Sequence, residues 1–112
     1  MSDFASLPTP PYYAVIFSAR RTEGDFGYDA MAEKMADMAA AQPGYLGIET
    51  TRNDAGFGIT VSYWADEAAL VNWKNVSQHA LAQKLGRERW YSYFTVRVAV
   101  VERHYDGPEG RN

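Results

Sequence analysis

The chain has 112 residues, the length of a single domain, with a formal net charge of −3 and a pI of about 5.3. An acidic chain without a basic stripe argues against nucleic-acid binding, and no apolar run is long enough to span a membrane. The absence of cysteine excludes disulfides, thiolate metal sites and cysteine nucleophiles. The first residues also lack the basic and apolar regions of a secretory signal, so we expect a cytoplasmic protein.

The chain starts with a proline-containing stretch, residues 1–11, that favours an extended arm. Its prolines lack backbone donors and disfavour helix in the residues before them. Residues 12–20 then form a β-branched and aromatic run, which predicts a strand with apolar side chains on both faces. We therefore expect a folded domain over residues 12–105, followed by a polar tail over residues 106–112.

Methionines recur at helical spacing in residues 28–42 and predict the first helix. Met31, Met35 and Met38 share one side, and charged residues fall on the other. The Pro-Gly pair that follows is a helix stop signal. A stripe of this kind is more typical of core packing than of a cofactor pocket, because methionine fills irregular gaps well.

Residues 45–52 and 57–64 predict two strands joined by a hairpin loop with a glycine at its end. Side chains alternate between two faces along a strand, so the second of these strands divides into two sets. The sets are Phe57, Ile59, Val61 and Tyr63 on one face, and Gly58, Thr60, Ser62 and Trp64 on the other.

The rest of the chain predicts two helical segments and a last strand. Acidic residues favour a helix start in residues 66–75, and Ser77 is a candidate cap for a second segment over residues 78–85. Residues 90–105 then alternate as a long strand. Its two faces carry Phe94, Val96, Val98 and Val100, and Tyr93, Thr95, Arg97, Ala99 and Val101.

The predicted order of elements is β-α-β-β-α-β. This is the order of the ferredoxin-like α+β fold, in which one four-stranded antiparallel sheet carries both helices on one face. The other face would leave apolar side chains of the first strand in water. We therefore predict a homodimer that joins through these sheet faces, since a symmetric dimer is the commonest way to cover them.

Three segments resemble the antibiotic biosynthesis monooxygenase (ABM) domain family, whose members are dimeric α/β barrels. They are "QPGYLGIE", "ITVSYWADEAALVNWKN" and "RVAVVER", and the resemblance extends over residues 12–104. The family includes cofactor-free quinone-forming monooxygenases, haem-degrading monooxygenases and proteins with no assigned reaction. The resemblance therefore implies a fold more firmly than an activity.

The resemblance also implies where a site would lie. The family's pocket is between the helices and the sheet, and Trp73 would border it. In haem-degrading members the iron-binding His follows ten residues after the matching Trp, and Gln83 stands at that position here. Those members carry an Asn on the first strand, where Ser18 is the nearest polar residue. His79 is then a candidate substitute ligand.

The candidate catalytic residues are His79 and Trp73. A His can deprotonate a phenol near neutral pH, and an Arg such as Arg87 can stabilise the resulting anion. The predicted substrate-binding residues are Trp64, Ser18, Gln83 and Arg87, and ligand spacing for a metal is absent from the sequence.

Each candidate has a structural alternative. His79 is also explained as a surface residue, Trp64 and Trp73 as core anchors, and Arg87 as a cation favoured at a helix C-terminus. Tyr91 is expected at a loop–strand junction or in the dimer interface.

Three functional hypotheses follow from these residues. The first is a cofactor-independent monooxygenase that acts on a small aromatic or phenolic compound. The second is a haem-binding or haem-degrading protein with His79 as ligand, and the third is a non-catalytic dimeric module that binds a small molecule. The first is favoured on the resemblance to the family. Because no dinucleotide-binding glycine pattern follows a strand, such an activity would need an electron-rich substrate.

Overall fold

In a computed structural model, the chain folds into six helices and strands in the predicted order. The structure describes residues 3–22, 28–83 and 91–108, apart from the side chains of residues 28–31 and 80–83. The elements are β1 (Tyr12–Arg21), α1 (Tyr28–Ala40), β2 (Tyr45–Arg52), β3 (Phe57–Trp64), α2 (Glu67–Gln83) and β4 (Tyr91–Val101). This confirms the ferredoxin-like α+β fold.

One four-stranded antiparallel sheet is formed in the order β2-β3-β1-β4. Tyr13 of β1 is paired with Trp64 of β3 and with Val100 of β4, so these three side chains point to the same side of the sheet. The next residue along each strand points to the opposite side. We call the side that packs against the helices the helix face and the other side the open face. On β1 the helix face carries Tyr13, Val15, Phe17 and Ala19, and the open face carries Tyr12, Ala14, Ile16 and Ser18.

The core lies on the helix face at one end of the sheet. Trp64 is 0% exposed, and its indole stacks on Trp73 of α2 with ring centroids 5.8 Å apart. Tyr45 meets the same ring edge-on at 5.6 Å. The indole N–H donates to the Ser62 hydroxyl at 2.9 Å, so a buried donor is satisfied inside the core.

The loop between α1 and β2 passes very close to the start of α2. Gly44 has φ of +81°, and a Cβ there would lie 2.5 Å from the Cβ of Ala69. Only glycine fits both the left-handed backbone and this approach. Asp66 caps the helix, since its side chain accepts from the Ala69 N–H at 2.8 Å.

The second helix is continuous, so the predicted break before residue 78 is wrong. The Ser77 hydroxyl donates to the carbonyl of Lys74 at 3.2 Å and does not cap a new segment. A serine whose hydroxyl bonds back within the helix can sit in its interior. No helix in the described part of the chain is long and apolar enough to cross a membrane.

An irregularity in β4 changes which side chains share a face. Arg20 of β1 pairs with Tyr93, but the next residue, Arg21, pairs with Tyr91. Ser92 is the extra residue, and its hydroxyl donates to the carbonyl of Arg20 at 3.3 Å. The insertion is a β-bulge, a feature that re-aims the side chains beyond it.

Candidate functional site

The helix face of the sheet has two regions along β1. Near Tyr13 and Val15 it is covered by α2, and Trp73 and Trp64 fill the space with their own rings. Towards Phe17 and Ala19 the face opens into a groove. The two tryptophans predicted to hold a substrate therefore pack on each other beside this opening, and the groove is lined by other residues.

The groove lies where the β2–β3 hairpin meets the end of β1 and the start of β4. It is shallow and encloses about 30 Å³. We call it the hairpin groove, and the residues that define it are Phe17, Ala19, Arg21, Thr50, Thr51, Arg52, Gly56, Gly58, Thr60 and Tyr91. This enclosed volume is well below the range for small-molecule sites, so a ring compound would lie along the groove with part of its surface in solvent.

Aromatic rings form the β4 side of the hairpin groove. The ring of Phe17 lies 5.2 Å from that of Tyr91 and 5.6 Å from that of Phe94, and Tyr91 lies 6.0 Å from Phe94. Edge-to-face and tilted arrangements at these distances are favourable for aromatic pairs. The cluster presents a surface on which a planar ring can lie.

Tyr91 reaches this cluster because of the bulge at Ser92. Simple alternation from Phe94 would place Tyr91 on the open face together with Tyr93. The extra residue turns Tyr91 to the helix face instead, opposite Arg21. Strand alternation alone therefore could not have identified Tyr91 as a groove residue.

The opposite side of the groove is polar. The hydroxyl groups of Thr50 and Thr60 lie 2.6 Å apart in a cross-strand hydrogen bond. Arg21 and Arg52 complete this side. The groove thus combines an apolar aromatic surface with hydroxyls and two cations, a combination that suits an amphipathic ring compound.

The predicted site residues are dispersed over the molecule. His79 is exposed on α2, and Ser18 lies on the open face, opposite Trp64 and Trp73. The backbone of Gln83 ends α2, while its side chain and Arg87 lie outside the described residues. Among the predicted site residues whose side chains are described, only Trp64 and Trp73 are in contact with each other.

The open face carries a separate polar network. The hydroxyl of Tyr63 donates to one carboxylate oxygen of Glu49 at 2.7 Å, and the other oxygen accepts from the backbone N–H of Ala5 at 3.0 Å. Tyr12 bonds to Nδ1 of His104 at 2.7 Å and meets Tyr63 edge-on at 5.8 Å. This network joins the N-terminal arm and the segment after β4 to the sheet.

A model of the antibiotic biosynthesis monooxygenase family matches residues 20–85, more than half of the chain. The chain belongs to the antibiotic biosynthesis monooxygenase family. This ABM domain is 50% identical over 104 residues to the uncharacterized protein YqjZ of Bacillus subtilis, covering 92% of this chain and 91% of that one. It is 31% identical over 94 residues to the jasmonate monooxygenase ABM of Pyricularia oryzae, covering 80% of this chain but 43% of that protein.

Solved structures share the fold of this ABM domain. PA3566 from Pseudomonas aeruginosa superposes with a TM-score of 0.64 at 18% identity, over 87% of this chain and 98% of the other. Rv0793 from Mycobacterium tuberculosis gives 0.64 at 17% identity, over 87% and 99%. At this identity the likeness extends to the fold and not to the site.

The described residues contain no group of three or more His, Asp or Glu side chains placed to hold a metal ion. His79 is exposed on α2, and so is Asn75, one turn before it. Val76, on the same side of the helix, is half-buried, and the side chains one turn after His79 lie outside the described residues.

Several groove residues carried no signal in the sequence. Thr50, Thr60 and Arg52 occur as ordinary polar positions of two hairpin strands. Their alternation places all three on the helix face. Only the cross-strand register shows that they lie together in one groove.

Proposed function

We propose that the protein is a monooxygenase that oxidises a small phenolic ring with dioxygen and without a bound cofactor. Membership of the ABM family supports the reaction class. The hairpin groove is the observation that supports a site for this reaction. In it, Phe17 and Tyr91 present an aromatic surface beside the Thr50–Thr60 hydroxyl pair.

The proposed reaction balances without an external reductant. A naphthol with a free para position and one dioxygen give a naphthoquinone and one water, so one oxygen atom enters the product. The substrate supplies all the electrons, which requires an electron-rich ring and favours its deprotonated form. The aromatic surface orients the ring, and the groove arginines stabilise the phenolate.

The Pyricularia relative supports monooxygenation as the general activity. It is named a jasmonate monooxygenase, and this chain spans less than half of its length. The proposed reaction class draws on this relative, and the proposed substrate class rests on the geometry of the groove. His79 is exposed on α2 and does not line the groove. Its role as a base therefore stays a prediction.

Oxygen uptake with metal-free protein over a panel of naphthols and hydroquinones tests the proposal. We expect uptake to match quinone formation one to one, with one atom from ¹⁸O₂ in the product. Phe17→Ala should raise KM about tenfold, because the ring loses part of its stacking surface. Tyr105→Ala, at an 80% exposed residue outside the groove, is the control. A panel without oxygen uptake above the protein-free rate would refute the activity.

We also propose that the open face joins two copies of the chain. Phe57 and Ile59 are each 37% exposed there, and Tyr93 is 72% exposed. Large apolar and aromatic side chains on one sheet face are typical of an interface. This arrangement leaves the hairpin groove on the other side of the sheet, one groove in each copy.

A further inference from the structure

Two arginines of the hairpin groove lie on either side of β3, above positions that have no side chain. Arg52 is paired with Gly58 in the sheet, and the backbone N–H of Arg21 donates to the carbonyl of Gly56 at 2.9 Å. The two arginines are on β2 and β1, which lie on either side of β3, so these two strands are about 10 Å apart. Two long cationic side chains therefore flank a glycine floor.

The aliphatic part of Arg52 lies against that floor, and Arg21 approaches it with its Cβ. A Cβ added at Gly58 would meet Cβ and Cγ of Arg52 at 3.3 Å, and one at Gly56 would meet Cβ of Arg21 at 3.5 Å. Arg52 therefore leans over Gly58 towards the groove. Side chains at the two glycines would occupy the space between the guanidinium-bearing strands.

The described residues that line the hairpin groove carry positive charge. Arg21 and Arg52 line it, and the described residues of its lining include no aspartate or glutamate. Asp54, in the turn of the hairpin, is exposed and is not part of the lining. Both arginines have other contacts in the protein, and a guanidinium with five donors can serve a second partner.

The strand register places the cations next to the aromatic cluster. Across the sheet, one row runs from Arg52 through Gly58 and Ala19 to Phe94. Its two central residues are small, so the row forms a shallow bowl with a cation at one end and a ring at the other. A compound that spans this bowl would have an anionic group and an aromatic body.

We propose that the hairpin groove is specific for aryl carboxylates, with the carboxylate held by Arg21 and Arg52 over the two glycines. The ring then lies over Ala19 against Phe17 and Tyr91. Arginine suits this role because its planar fork matches a carboxylate. This inference rests on the proposed function for the site, and it adds the substrate class.

Binding under nitrogen tests the inference separately from turnover. The probes are 1-hydroxy-2-naphthoate, its neutral methyl ester and 1-naphthol, titrated by calorimetry. We expect one saturable site in which the acid binds at least about tenfold more tightly than the ester or the naphthol, because charge-assisted hydrogen bonds are the strong ones. The preference should shrink as salt is added.

Neighbouring arginines provide a matched control. Arg21→Gln and Arg52→Gln should each weaken binding of the acid about tenfold and leave the ester unchanged, and Arg52→Lys should recover part of the loss. Arg20→Gln should bind as the wild type does, because Arg20 is on the open face, 5.6 Å over the ring of Phe57. Thermal unfolding of each variant shows that it is folded.

Three outcomes would overturn the inference: no saturable binding of the acid, equal binding of acid and ester, or equal losses in Arg20→Gln and Arg21→Gln. Oxygen uptake separates this from the proposed activity. Binding of the acid without uptake leaves the carboxylate site and refutes the activity. Equal binding and equal oxygen uptake with the acid and the naphthol would leave the activity and refute the carboxylate site.

Discussion

Tyr63 occupies a half-buried position on the open face, where its hydroxyl donates to Glu49. Burial, the hydrogen bond to this carboxylate and the negative charge of Glu49 all raise the pKa of Tyr63. Burial also raises the pKa of Tyr12, its edge-on neighbour, and that of Tyr45 in the core. A tyrosine in such a setting stays protonated in the folded protein at pH values where the unfolded chain begins to ionise.

We therefore expect stability to fall as pH rises above about 10, the ordinary pKa of tyrosine. The folded state then binds more protons than the unfolded state, and each such group lowers the free energy of unfolding by up to about 1.4 kcal/mol per pH unit. Urea denaturation between pH 8 and 11 measures this slope. Tyr63→Phe should have a shallower slope, while Tyr105→Phe, at an 80% exposed residue, should follow the wild type. Identical slopes for Tyr63→Phe and the wild type would contradict the assignment.

His79 provides a second prediction at this scale. Because it is exposed on α2, we expect no saturable Soret shift that depends on it when haemin is added. Absorbance titration of the wild type and His79→Ala side by side measures this. A one-to-one shift in the wild type that disappears in His79→Ala would make His79 an axial ligand and favour haem chemistry.

Among the elements, the N-terminal arm depends on one side chain of β2. Glu49 accepts from Ala5 in the arm, and Gly47 leaves room for the Ala5 side chain, since a Cβ there would lie 2.8 Å from that of Ala5. The arm thus covers part of the open face next to β2.

Glu49→Ala should release this arm. The Ala5 N–H loses its acceptor and Tyr63 loses its carboxylate partner, so we expect faster hydrogen exchange at Ala5 and a free energy of unfolding lower by about 1–3 kcal/mol. Hydrogen exchange by NMR and urea denaturation measure the two effects. Thr51→Ala, on the same strand and face, is the control. Unchanged exchange at Ala5 would show that other contacts hold the arm.

The sequence predicts the hairpin strands best. The bounds of β2 and β3 agree with the prediction, because turn residues separate two clear β-branched and aromatic runs. The break proposed at Ser77 is wrong, because a serine can bond back to the helix as well as cap it. Local preference alone does not distinguish these two uses of its hydroxyl.

The candidate site was harder to predict than the fold. Trp64 and Trp73 were each predicted to stack on a flat substrate or to anchor the core, and the structure places the two rings in mutual contact. Tyr91 was assigned by its neighbours in sequence, but a bulge decides its direction. Arg52 is recognised as a groove residue only because it is paired with Gly58 on β3. The positions of Tyr91 and Arg52 in the groove both depend on cross-strand register, which a single sequence does not encode locally.

For the whole molecule, the main prediction is a dimer of twice the 12.6 kDa chain mass, measured by light scattering. Ile59→Asp should give monomers, because an unpaired carboxylate in an apolar interface is costly. Val98→Asp is the matched control, since Val98 is also exposed but on the helix face. Dimers of Ile59→Asp at micromolar concentration, or monomers of the wild type, would contradict the proposed interface.

The bulge at Ser92 has a consequence for how such a domain can change over time. Deleting this one residue would restore plain alternation in β4 and keep Tyr91 on the helix face, opposite Arg21, with every other amino acid retained. The bulge thus absorbs one extra residue, and a single-codon deletion here would remove the irregularity without taking the aromatic ring out of the groove. A one-residue gap at this point of β4 in a relative is therefore compatible with a ring retained at the position of Tyr91.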